Sequence, residues 1–378
     1  MNTQWIKLTL SSSFLTLSIA AAQTPSFEGV GTMNPAAGFY SDVAGISGDG
    51  QYVIGRSISS YDSFAHFDAY RWNRSTGFLD LGAFVPDQAS YNGSVVFGHS
   101  AGPLQWTAAQ GIVPIPIPGG PSPTGYFTAI SSDGSAASGN EYTTPIRWTA
   151  AGGPVDLGPM PTYTTIDFGI PRQHQYEAGY THDISGDGQV IVGTAGFVDM
   201  TGAPRSAAFR WTTGTGAVDL GALPGQENSR TEAFLISADG KAIVGTSGVE
   251  VFRWTQQTGM MDLGFSNGGS MSSSNIPIDI SGDGSVLLTS SSIWDSTHGL
   301  RSLTDFLHKE HGLNLSGWSN LSAVAMSDSG TTIVGNGIDP QGFTEGWIAA
   351  IPEPGTAFLM MIGVLMLGVL LYPRRAAR

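Results

Sequence analysis

One acidic position returns along this chain. Asp49, Asp133, Asp187, Asp239 and Asp283 share a register with Asn92, each followed by Gly, and Asp328 stands one place early. Carboxylates gathered on one ring could hold calcium. Calcium loops, however, collect several oxygen ligands within one short segment, and each segment here supplies a single carboxylate. Asn92 and the displaced Asp328 lose the regular charge and keep the turn. The chemistry is that of a turn: Asp or Asn before Gly accepts positive φ, and a preceding Ser can hydrogen-bond the turn backbone.

A second pattern pairs opposite charges. Arg71, Arg147, Arg210 and Arg253 each precede an Asp by nine residues: Asp80, Asp156, Asp219 and Asp262. They sit in YRWNRSTGFLDLG from Tyr70, IRWTAAGGPVDLG from Ile146, FRWTTGTGAVDLG from Phe209 and FRWTQQTGMMDLG from Phe252. Each reads as two strands around a polar, Gly-containing turn. A four-residue turn would set residues nine apart face to face, Trp211 opposite Val218 and Arg210 opposite Asp219. Four cross-strand ion pairs are therefore predicted. Their role is structural, fixing register with little net stability.

Other chemistry is sparse. His308, Glu310 and His311 fall short of a His-Glu-x-x-His zinc pattern and have no identifiable third ligand. There is no phosphate loop, no nucleophile motif and no cysteine. No catalytic, cofactor-binding or metal-binding residue is assigned.

The elements that position these residues follow from a ten-residue phrase with seven copies. They read ISGDGQYVIG from Ile46, ASYNGSVVFG from Ala89, ISSDGSAASG from Ile130, ISGDGQVIVG from Ile184, ISADGKAIVG from Ile236, ISGDGSVLLT from Ile280 and MSDSGTTIVG from Met326. Spacings of 43, 41, 54, 52, 44 and 46 residues suit one propeller blade or one solenoid unit. The last copy lacks a Val-Asp-Leu-Gly-like strand. Phe27-Glu28-Gly29-Val30-Gly31 occupies the equivalent place before the first copy. Such a splice would close a ring and remove open sheet edges. The expected fold is an all-β, seven-bladed propeller of ~45-residue repeats, closed by an N-terminal strand. Residues 300–312 read as its one soluble helix, with Leu300, Leu303, Phe306 and Leu307 on one face and Gly312 as the stop. Ile112–Pro118 replaces an outer strand in blade two, where prolines are tolerated. Aromatic-bearing connections at 61–70, 159–180 and 196–206 are where a sugar could stack.

The ends set the address. Residues 1–22 carry Lys7, an apolar stretch and small residues through Ala20 and Ala22, as an export signal requires. An apolar helix at 356–372 precedes Arg374, Arg375 and Arg378 and reads as a short transmembrane span. Removing those three arginines and Lys7 leaves 12 basic against 30 acidic residues. A body so acidic would repel nucleic acid and anionic lipid. Without cysteine, stability must come from packing, for which residues 23–350 are ample.

Pro352-Glu353-Pro354, the apolar span and the terminal arginines, in that order, resemble the PEP-CTERM sorting tail over residues 351–378. The resemblance implies an exosortase-type processing enzyme as partner, an inner-membrane enzyme of Gram-negative bacteria that make exopolysaccharide. It also implies delivery to the cell surface or the extracellular matrix of a biofilm, with the membrane held through the tail helix until processing. The aromatic-Arg-Trp-Thr run, Gly turn and Asp-Leu-Gly resemble the HAF repeat family, best at 209–221 and 252–264 and over roughly residues 27–350. That family brings no catalytic residues to carry over. The expected function is a non-catalytic scaffold or binding module for exopolysaccharide or surface proteins. The rival expectation is a propeller hydrolase or lyase acting on glycans. A convergent carboxylate pair or a His/Tyr/Arg cluster at a channel mouth would favour that rival.

Overall fold

The structure, a computed structural model, describes residues 24–351 other than 37, 62–64, 117–124, 168–169, 177, 199–203, 228 and 266–275. Ala20, Ala22, Pro352, Glu353, Pro354, Arg374, Arg375 and the apolar helix expected at 356–372 lie outside the described residues. Among the described residues no helix is long and apolar enough to cross a membrane. The unit Pro25–Ile351 is the body described below.

It is all β. Seven four-stranded antiparallel sheets follow one another, and six take their strands in sequence order from the inside outwards. Blade one is Ser41–Ile46, Val53–Tyr61, Ala65–Asn73 and Gly77–Gly82. Blade seven is Ser319–Met326, Thr332–Ile338 and Thr344–Ala350, and its fourth strand is Ser26–Gly29 from the other end of the sequence. Ser26 lies opposite Ala350 and Gly29 opposite Trp347. Glu345 Oε1 extends the seam by accepting the Gly31 N–H at 2.7 Å. The expected closure of a seven-bladed β-propeller is therefore present, and the seventh blade has four strands like the others.

Each repeated phrase forms the turn between the innermost and second strands. Its Ser (Ser47, Ser90, Ser131, Ser185, Ser237, Ser281, Ser327) is fully buried. The hydroxyl accepts the N–H five residues on at 2.9–3.1 Å. In five blades it also donates to the Asp two residues on, at 2.6–2.8 Å. That Asp accepts the backbone N–H two residues further. At Asp133 this bond from Ser135 holds the carboxyl below its ordinary range. The Gly that ends each turn has φ of 62–72°, the left-handed region where glycine carries no penalty. In these five blades the Ser hydroxyl and one Asp oxygen of the phrase thus serve the turn itself.

The turns also bond to one another. Asp49 N–H donates to Tyr91 O, Tyr91 to Ser132, Ser132 to Gly186, Gly186 to Ala238, Asp239 to Gly282, Gly282 to Asp328, and Asp328 to Gly48, all at 2.6–2.9 Å. These seven bonds run in one rotational sense and close on themselves around one mouth of the channel.

Between blades the core is apolar. Ile243 and Phe252 of blade five pack on Val190, Val192 and Ala208 of blade four. Burying side chains of this kind stabilises by about 1.5–3 kcal/mol each. Trp72, Trp106, Trp148, Trp211 and Trp347 of the third strands are buried. Trp211 Nε1 donates to Leu157 O of the preceding blade at 2.7 Å.

Two expectations need correction. The outer hairpins pair one residue out of the predicted register: Arg210 faces Val218, Phe209 faces Asp219 and Thr212 faces Gly216. Only 213–215 lie between the closing pair, and Gly216 takes φ 66°. A three-residue turn with a left-handed Gly thus replaces the assumed four-residue turn. The same shift sets Arg71 opposite Leu79, Arg147 opposite Val155 and Arg253 opposite Met261. The ion pairs Arg71–Asp80, Arg147–Asp156, Arg210–Asp219 and Arg253–Asp262 do not form.

The expected helix at 300–312 is shorter. Gly299–Ser302 is the outer strand of blade six, and Leu303–Asp305 continues as a wider π turn through Glu310. Sheet pairing captures Leu300, while Leu303, Phe306 and Leu307 are buried as their spacing predicts. Gly111–Pro114 does form the outer edge of blade two.

Candidate functional site

The ring of turns fixes one face of the propeller. The opposite face carries the connections between blades and the turns between second and third strands. The long connections at 61–70, 159–180 and 196–206 fall on this second face. They are built as hairpins: the first and third extend blades one and four, and Thr162–Asp167 with Ile170–Gln175 forms a separate pair. The side chains of 163–175 lie outside those described.

All seven innermost strands bulge at one position, where the ladder skips Ala44, Asp87, Thr128, His182, Phe234, Ile278 and Val324. A bulge turns the extra residue out of the pleat. Residues at and beside these bulges line a central channel of about 300 Å³ that runs to the turn ring. Of the bulged residues themselves, Ala44, Asp87, His182, Ile278 and Val324 line it. His182 Nε2 meets Thr194 Oγ1 at 3.1 Å, and its ring meets Phe234 edge-on at 5.7 Å. Burial pushes its pKa down.

Next to three bulges an acceptor bridges neighbouring blades. Gln88 Oε1 accepts Ile130 N–H at 2.9 Å, from blade three to blade two. Asp183 accepts Ile184 N–H on one oxygen and Ile236 N–H of blade five on the other, both at 2.8 Å. Asp279 does the same with Ile280 and with Met326 of blade seven, both at 2.7 Å. Burial pushes each carboxyl up to about 7, against the downward pull of those N–H groups. Both oxygens of each carboxylate are engaged within the fold.

A cleft of about 510 Å³ opens beside the channel between blades two and three. Asp87 Oδ2 meets His99 Nδ1 there at 2.8 Å, with Tyr126, Ser100 and Thr128 on the lining. Burial raises the Asp87 pKa, and the bond to His99 pulls it back. Six of the seven exposed aromatic side chains among the described residues stand on this same face: Phe39, Phe67, Tyr126, Tyr142, Tyr180 and Phe343. Phe39 packs on Phe343 at 5.1 Å and Tyr40 on Phe67 at 5.2 Å. Tyr91, in a turn of the ring, is the seventh.

The charged residues singled out from the sequence lie elsewhere, on the outer hairpins. Arg71 donates to Gly93 O at 2.7 Å, Arg147 to Gly188 O at 2.8 Å and Arg253 to Gly284 O at 3.0 Å. Each acceptor is the turn glycine of the next blade, so these guanidiniums tie blades together. Arg210 makes no such bond among the described residues, and burial lowers its pKa. Asp80, Asp156, Asp219 and Asp262 each accept the N–H of the Gly two residues on at 2.8 Å, shaping the exit from the blade. His308 meets Leu313 O at 2.9 Å and His311 packs on Phe306.

Sequence reasoning missed the bulges, the bridging acids and the Asp87–His99 pair. The available signal was a carboxylate directly ahead of the phrase, at Asp183 and Asp279.

The sheet pairings and channel define the class: a seven-bladed β-propeller with a lined channel and an aromatic face. No family model matches the chain, and no curated protein matches it. Among solved structures it is similar to a protein of Agrobacterium tumefaciens assigned as TolB, 12% identical over 59% of this chain and 80% of that one, with a TM-score of 0.35. So low a score carries no argument, and the fold rests on the pairings above.

Proposed function

We propose that this chain is an exported surface or matrix protein whose propeller binds polysaccharide without turning it over. The gathering of six exposed aromatics on one face carries the reading, because aromatic faces suit the C–H faces of pyranose rings and several weak contacts add along a polymer. The PEP-CTERM-like tail and HAF-like repeats support the same address. Processing by an exosortase-type enzyme, with Pro352, Glu353, Pro354, Arg374 and Arg375 as its signal, is part of the proposal. Engagement of both oxygens of Asp183 and of Asp279 by backbone N–H groups supports a scaffold role for the channel acids.

Two measurements test it: the intact mass of the protein in each fraction of the native host, with and without the sorting enzyme, and pull-down on the host's exopolysaccharide. A surface species lacking both terminal segments and retained on the polysaccharide is expected. A full-length species held in the inner membrane, or no retention, refutes it. The Asp87–His99 pair in the cleft between blades two and three is the observation that favours the rival, a glycan hydrolase or lyase using them as acid and base. Release of reducing ends during incubation would decide for the rival.

A further inference from the structure

The cleft between blades two and three has chemistry specific enough to name its ligand class, an inference that rests on the polysaccharide-binding proposal above. Its floor is apolar: Phe97 and Ile115 are buried, and Phe97 packs 5.9 Å from Trp148. Its rim is polar. Asp87 Oδ2 is occupied by His99 Nδ1, and among the described residues nothing bonds to Asp87 Oδ1 or His99 Nε2. Both side chains stay about half exposed, at 44% and 53%. Tyr126 lines the same cleft and is 47% exposed.

A free carboxylate oxygen, a free imidazole nitrogen and an exposed aromatic ring match a pyranose. Its hydroxyls can donate to the first, exchange a hydrogen bond with the second and lay a C–H face on the third. Among the described residues no Lys or Arg lines the cleft. A uronic acid would meet the Asp87 charge without a counter-charge, on a chain whose formal net charge is −14. The volume of about 510 Å³ falls in the ordinary range of small-ligand sites.

We propose that this cleft is a subsite for one or two neutral or amino-sugar residues, held by Tyr126, Asp87 and His99, and that it rejects uronic acids. The test presents cellotetraose, chitotetraose and tetragalacturonate to the full-length chain, in a polyoxyethylene detergent that carries no sugar. Binding is read by saturation-transfer NMR and by immobilised-glycan capture. The neutral or the amino tetrasaccharide is expected to bind and tetragalacturonate not. Tyr126→Ala and Asp87→Asn should each weaken binding about tenfold or more. Val218→Ala, on the outer strand of blade four, should leave it unchanged. Superposable melting curves for the variants exclude misfolding as the cause.

Preference for tetragalacturonate, or binding of none of the three, overturns the proposal. So does full binding by both cleft variants. If wild-type and cleft variants hold the host polysaccharide equally, this site fails while the broader function stands. If wild type holds no polysaccharide, both fail.

Discussion

The bridging carboxyl of Asp183 makes the protein's stability depend on pH in a direction opposite to that of most acids. Burial raises its pKa to about 7 in the folded chain. In the unfolded chain an aspartate titrates near 3.9. Between those values the native state holds a proton that the unfolded state has released. Stability from this site is therefore fully present below about pH 4 and is lost as pH rises towards 7. At about 1.36 kcal/mol per pH unit, a gap of three units amounts to ~4 kcal/mol. Asp183→Asn cannot titrate and isolates the effect. Its amide costs an absolute amount by facing the Ile236 or Ile184 N–H with an NH₂, and that cost does not vary with pH. Urea denaturation of wild type and variant from pH 4 to 8 reads the difference. Wild type should lose about 4 kcal/mol relative to the variant by pH 7 and little more beyond. Parallel pH profiles would refute the reasoning. A wild-type advantage that grows with pH would show that the two N–H donors outweigh burial.

Two further perturbations test the fold. Arg253→Ala removes the bond to Gly284 O and should cost about 1–2 kcal/mol by calorimetry. Arg210→Ala, which breaks no such bond, should cost less; equal losses would contradict the inter-blade role. Deleting residues 24–31 strips the outer strand from blade seven and leaves Thr344–Ala350 as an open edge. Light scattering should then find dimers or aggregates, and a peptide of residues 24–31 added in trans should restore the monomer. A truncated chain that stays monomeric and equally stable would show that the seam is dispensable.

The fold was legible because its signals are local. Ser-x-Asp-Gly encodes a turn through groups that bond to one another, and seven turns at blade spacing imply seven sheets. The N-terminal Phe27–Gly31 could be matched to blade seven because the last repeat lacks that strand. Register was harder. Gly216 can close a turn of three residues or stand inside one of four, and the change moves every opposite pair by one. That step separated Arg210 from Asp219. The channel was illegible for another reason. Its bulged residues are Ala, Asp, Thr, His, Phe, Ile and Val, so the backbone repeats there and the side chains do not. The Asp87–His99 pair joins two strands that contribute different positions of the repeat, and its spacing marks no motif.

The seventh sheet is written at both ends of the sequence, with Ser26–Gly29 in one half and Thr344–Ala350 in the other. A partly synthesised chain can pair the strands of its early blades, but it cannot close the circle. Closure joins contacts more than 300 residues apart, as between Gly31 and Glu345, and such long-range pairing comes late and slowly. Until then both sheet faces at the gap stand open. The molecule therefore has a natural completion signal: it becomes a circle only when residue 350 arrives.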